Sequence, residues 1–139
     1  MITFTAYGIP APKGSTKAFM PRGGRFPIVT ADNKRTKPWQ SIVQAAAIDA
    51  IGGNLILFPD GPVSIAVEFY LPRPKSLPKR VVHHLKKPDC DKCIRSVLDA
   101  LTGVIWRDDS QVVRIHATKF YASDASMPRA FIQIEEEIK

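Results

Sequence analysis

The chain has 139 residues, 45% hydrophobic and 24% charged, with a formal net charge of +7 and a sequence pI near 9.7. That length suits a single domain over residues 1–139 with one sizeable core. No apolar run approaches the roughly 18 residues of a membrane span, the N-terminus lacks the basic region of a signal peptide, and Cys90 and Cys93 alone make no disulfide framework. These features exclude a membrane protein or a disulfide-stapled secreted one, and the expected location is the cytoplasm.

Charge is unevenly spread. Residues 1–88 hold 13 Lys/Arg against 4 Asp/Glu, whereas residues 89–139 hold 7 against 9. The first part suits a polyanion such as nucleic acid, bound through its phosphates.

In chain order, Ile2, Phe4 and Ala6 alternate with Thr3, Thr5 and Tyr7, a half-buried strand stopped by Gly8-Ile-Pro10. Residues 9–37 lose all periodicity and carry Lys13, Lys17, Arg22, Arg25, Lys34, Arg35 and Lys37, a long basic loop that implies a use. A helix starts at Thr36 or Lys37 with Pro38 in its first turn. Trp39, Ile42, Val43, Ala46 and Ala50 recur at helical spacing before Gly52-Gly53. Leu55–Phe58 is read as a short strand. Val63–Leu71 alternates as a clear strand. Residues 73–87 form a second basic loop containing Lys86 and Lys87. A helix follows from about Asp89 to Leu101, with Cys93, Ile94, Val97, Leu98 and Leu101 as its apolar stripe and Gly103 as its stop. Gln111–Tyr121 and Ala130–Glu135 are strands. The order β-α-(β)-β-α-β-β, with the last two strands expected to pair antiparallel, predicts an α+β domain with a mixed sheet.

The chemistry concentrates in Asp89-Cys-Asp91, at the start of the second helix, and Asp108-Asp109, before the next strand. Each pair has a plain structural reading: Asp89 caps the helix, and Asp108-Asp109 form a solvated turn. Taken together, the pairs flank one helix and its return loop, an arrangement that lets them converge. Four crowded carboxylates raise one another's pKa, a situation that a hard divalent cation relieves. Mg²⁺ suits such oxygen ligands, and Mn²⁺ substitutes for it. A metal held this way supports phosphodiester hydrolysis. Asp91, Arg95 and Asp99 lie four residues apart on one helix face. Arg95 is therefore placed either to hold the phosphate and stabilise transition-state charge or to form an i,i+4 salt-bridge ladder worth tenths of a kcal/mol.

Lys87-Pro-Asp-Cys-Asp-Lys-Cys-Ile-Arg95, then Leu98-Asp-Ala-Leu-Thr-Gly103, then Arg107-Asp-Asp-Ser-Gln-Val-Val113 resembles the signature of the RusA family of Holliday junction resolvases. With the lysine at 119, the resemblance covers residues 87–119, about a quarter of the chain. The Gly8-Ile-Pro-Ala-Pro-Lys-Gly14 segment is a weaker match. The resemblance implies a homodimeric, Mg²⁺-dependent endodeoxyribonuclease that nicks branched DNA, the four-way junction, symmetrically for recombination or repair. It implies catalytic carboxylates at Asp89, Asp91 and Asp109 with Asp108 beside them as metal ligands, and it matches Lys119 to a family lysine, grouped here with the DNA-binding residues. Two positions depart from the pattern: Lys92 replaces the usual Asn, and Arg95 replaces a catalytic lysine. Arginine keeps the charge but does not donate a proton near neutral pH.

Three rival readings follow from the same residues. His83, His84, Cys90 and Cys93 suggest a zinc site, although their spacing matches no standard finger. The basic loops alone suit a non-catalytic nucleic-acid-binding module. The aspartates also suit a metal-dependent nuclease with another structured substrate.

Overall fold

A computed structural model of the chain describes residues 1–14, 17–19, 22–24, 28–30, 33–123 and 125–137. Alternation places strand β1 at Ile2–Tyr7, and two three-residue strands, β2 (Lys17–Phe19) and β3 (Ile28–Thr30), pair antiparallel. The sequence predicts one long basic loop without periodicity over residues 9–37. Strands of three residues are too short to show a period of two, so the sequence does not reveal this ribbon.

Helix α1 spans Thr36–Ala50 and buries Trp39, Val43 and Ala47. Glycines 52 and 53 adopt φ of 64° and 76°, the left-handed conformation that ends a helix at little cost for glycine. No strand forms at Leu55–Phe58. Ile56 sits at φ 58°, which a β-branched residue rarely adopts and which breaks an extended run. The segment instead hangs on two backbone bonds, Ile56 N–H to Val104 and Phe58 N–H to Ile105.

Strand β4 (Val63–Leu71) buries Val63, Ile65, Val67, Phe69 and Leu71. It leads into helix α2 (Cys90–Leu101), which buries Cys93, Ile94, Val97 and Leu101 as its stripe predicts and leaves Leu98 half-buried. A one-turn 3-10 helix (Asp109–Gln111) then opens strand β5 (Val112–Tyr121), parallel to β4. The β4-α2-β5 unit is a crossover, the connection that parallel neighbours require. Strand β6 (Arg129–Glu136) completes a four-stranded sheet in the order β1-β6-β4-β5.

The fold class is α+β with a mixed sheet, as expected, but the last two strands do not pair. Strand β6 pairs antiparallel with both β1 and β4. This leaves β5 at an edge. Both helices cover the sheet face that holds Ile65, Val67 and Phe69, yet β5 is poorly covered: Val113 is 61% and Ile115 48% exposed. Among the described residues, no helix is long and apolar enough to cross a membrane.

Candidate active site

Asp89 occupies the N-cap position of α2, with φ −71° and ψ 144°, but its side chain makes no capping hydrogen bond. The plain capping role is therefore absent, and the carboxylate is exposed, 3.8 Å from the Lys92 ammonium. Asp91 and Arg95, one turn apart, are both exposed, and neither has an ion-pair partner among the described residues. The proposed i,i+4 ladder does not form. Asp99 is engaged by Lys13 Nζ at 2.9 Å and Gln40 Nε2 at 3.0 Å.

The N-terminal end of α2 is organised by its neighbours. Lys13 N–H donates to the Lys92 carbonyl at 3.0 Å, and Thr36 Oγ1 donates to the Pro12 carbonyl at 2.5 Å. The first basic segment is thereby pinned between the starts of α1 and α2. From the other side, Lys119 Nζ on β5 donates to the carbonyls of Lys86 and Pro88, both at 2.8 Å, and lies 3.3 Å from His84 Nδ1. An ammonium has three donors, and here all three have partners in the segment leading into Asp89. Burial and the Lys119 charge push the buried His84 imidazole below its ordinary pKa, which favours the neutral ring that accepts from Lys119.

Asp108 and Asp109 have a different setting. Asp108 Oδ1 accepts from Ser110 N–H at 2.9 Å, and Gln111 Oε1 accepts from Asp108 N–H at 3.1 Å, a capping box. The Ser110 N–H holds the Asp108 carboxyl below its usual range. Asp109 is exposed in the first turn of the 3-10 helix.

The two aspartate pairs do not meet within one chain. Twelve residues of helix separate them, about 18 Å at the helical rise. Because Lys119, near the end of β5, reaches Pro88, the start of β5 with Asp108 and Asp109 lies at the far end of α2. Among the described residues no group of three or more His, Cys, Asp or Glu is placed to hold a metal ion. The sequence separation suggested convergence. The rigid helix between the pairs prevents it. Asp89 and Asp91 offer the hard oxygen donors that Mg²⁺ takes, and waters, phosphate oxygens or a further carboxylate would complete its coordination.

The other sequence-assigned residues divide into three groups. Arg22, Lys34, Arg35, Lys37, Lys86 and Lys87 are exposed and available to phosphates. Lys13 and Lys119 are engaged by protein groups. The Lys17 side chain and Arg25 lie outside the described residues. Burial pushes the Cys93 thiol up to about 12 and raises Cys90 as well, so both favour the protonated thiol. His83 packs on Phe120, with ring centroids 5.3 Å apart, and His84 packs on Tyr121 at 4.8 Å.

What the sequence reading missed is the free edge of β5. Residues 82–84 cover its end: His84 N–H donates to the Lys119 carbonyl and Tyr121 N–H to the Val82 carbonyl. By alternation along the strand, Ile115 and Ala117 also turn their backbone N–H and C=O outward, away from β4, and a register shift against β4 falls at Val113. Alternating Val113 and Ile115 in a basic context was the available signal.

A family profile described as Endodeoxyribonuclease RusA matches residues 10–135. The protein YqaN of Bacillus subtilis (strain 168), described as uncharacterized, is 32% identical over 145 aligned residues, which cover 97% of this chain and 96% of its own.

Proposed function

The chain belongs to the endodeoxyribonuclease RusA family, and on that premise we propose that it is a Mg²⁺-dependent enzyme that resolves four-way DNA junctions by paired nicks. We further propose that it works as a homodimer in which each active site takes residues from both copies. The observation that carries this reading is the pair Asp89 and Asp91: exposed, free of capping duty, and set at the helix end where the basic segments gather.

The β5 edge supports the proposed dimer. Antiparallel pairing of two copies across Val112–Thr118, with a two-fold axis at Ile115, sets residue 112 of one copy opposite residue 118 of the other. It covers Val113 and Ile115 and satisfies the outward backbone groups. Because the strands run in opposite directions, the partner's Asp109 arrives at the end of β5 where Lys119 holds Pro88 and Asp89. The carboxylates kept apart by α2 within one chain are thus brought together between chains. One dimer carries two such sites related by the axis, matching the symmetry of a four-way junction.

In this site Asp89, Asp91 and the partner's Asp109 would hold the cation, with Asp108 fixing the turn that presents Asp109. Mg²⁺, or Mn²⁺ in its place, supplies an activated water and neutralises phosphate charge when bound. Arg95, one turn beyond Asp91, holds a non-bridging phosphate oxygen and stabilises the charge that develops there. It does not protonate the leaving oxygen, because guanidinium keeps its proton at neutral pH. Arg35, Lys37, Lys86 and Lys87 bind phosphates of the junction arms.

That no group of three or more His, Cys, Asp or Glu gathers among the described residues also fits a binding module without catalysis. A nicking assay on a mobile four-way junction separates the two readings. The enzyme reading predicts paired nicks with Mg²⁺, none with EDTA, and a loss of orders of magnitude in Asp91→Asn with junction binding retained. Tight binding with no cutting under Mg²⁺ or Mn²⁺ would establish the binding module instead.

A further inference from the structure

A cavity of about 510 Å³ opens beside Asp89. Part of its wall is apolar and stiff, formed by Pro10, Pro12, Leu71, Pro72 and Pro88, and Gly14 and His84 also line it. Arg35, Lys87 and Lys92 stand around it as cations against the single carboxylate of Asp89. Asn33 also lines it, with its side-chain oxygen taken by Arg35 N–H at 2.8 Å, so that its amide NH₂ remains as a neutral donor.

This chemistry selects the occupant. A phosphate buried in a protein wants converging backbone N–H groups, and the four prolines of this lining supply none. A phosphate inside would also meet Asp89. A nucleobase has the opposite needs: flat apolar faces to lay against pyrrolidine rings, and an edge for one or two polar groups. Bases in an intact duplex are stacked and paired, so a pocket of this kind reaches a base only after it leaves the stack. The cost of leaving is least where pairing is already interrupted, as at a branch point.

We propose that the cavity lined by Pro10, Pro12, Pro72 and Pro88 receives one unstacked nucleobase adjoining the phosphate that is cut, with the Asn33 amide reading its edge. Arg35, Lys87 and Lys92 hold the phosphates on either side. Because the cavity shares Asp89 and Lys92 with the site above, seating this base sets which phosphate faces the carboxylates. Discrimination among bases at the cut then arises in the cavity, separately from recognition of the branch. The proposal rests on the junction-nuclease reading.

The experiment places 2-aminopurine, whose emission is quenched by stacking, at each nucleotide flanking the cut in a four-way junction. The full-length protein is added in EDTA, and cutting of the same junctions is measured in Mg²⁺. The proposal predicts a several-fold emission rise at one flanking position. The rise should vanish in Ile9→Trp, which fills the cavity from its partly exposed lining, and Asn33→Ala should alter base preference at that position. Melting curves that match the parent show that these variants are folded. Junctions that are cut while every flanking 2-aminopurine stays quenched would overturn the base pocket and leave the nuclease reading intact. A rise that persists unchanged in a folded Ile9→Trp, with base preference unchanged in Asn33→Ala, would overturn it as well. Failure to bind junctions at all would overturn both.

Discussion

Lys119, on β5, donates from its ammonium to the carbonyl of Pro88, the residue before Asp89, at 2.8 Å. The contact ties the end of the edge strand to the start of α2. It makes Lys119 a positioning residue, whose charge is spent on carbonyls and on His84.

Lys119→Met keeps the aliphatic stem and removes all three donors. Outer partners that orient ligands are worth roughly 10–100-fold in metal affinity or activity, so the Mg²⁺ concentration for half-maximal cutting should rise by that order. The salt dependence of junction binding should stay unchanged. A shallower slope with unaltered metal requirement would instead identify Lys119 as a phosphate contact.

His84 gives the fold a pH dependence. Burial, then the Lys119 charge, lowers its pKa below the ordinary value. The unfolded chain takes up the proton at about pH 6.5 while the folded imidazole resists it. The resulting stability is present above that pH and is lost as pH falls through the lower folded-state value. The melting temperature should therefore drop between about pH 7 and about pH 5, and should drop less in His84→Gln. Equal pH profiles for the parent and His84→Gln would remove His84 as the cause.

The exposed cations divide from the engaged ones in their salt response. Lys34, Lys37, Lys86 and Lys87 are free to meet phosphates. Each such contact contributes about 0.9 to the slope of log K against log salt. Lys86→Glu with Lys87→Glu should flatten the slope by about 2 and weaken all DNA forms alike. A slope unaffected by the pair would place residues 86 and 87 outside the DNA interface.

Much of this was legible in the sequence, for identifiable reasons. Helices α1 and α2 carry apolar residues at helical spacing, and the Val63–Leu71 alternation marks β4. The Asp-x-Asp and Asp-Asp-x-Gln blocks are contiguous, so they identify the family directly. The register of the sheet was not legible, because no local pattern shows that β6 inserts between β1 and β4. The positive φ of Ile56 was equally hidden, since its side chain favours strands. The role of Lys119 depends on three partners distant in sequence. The separation of Asp89 from Asp109 was in principle available: a helix of 12 residues has a known length.

The central claim, an active site shared between copies, is tested by mixing two inactive variants, Asp91→Asn and Asp109→Asn, under conditions that exchange subunits. In the mixed dimer one site joins both defects. The other joins Asp91 of one chain with Asp109 of its partner and is intact. The account predicts that each variant alone fails to cut a four-way junction, and that the mixture recovers nicking of one strand per junction, with the rate following the fraction of mixed dimer. Variants that remain inactive together, while subunit exchange is demonstrated by mass with one variant isotope-labelled, would contradict a shared site.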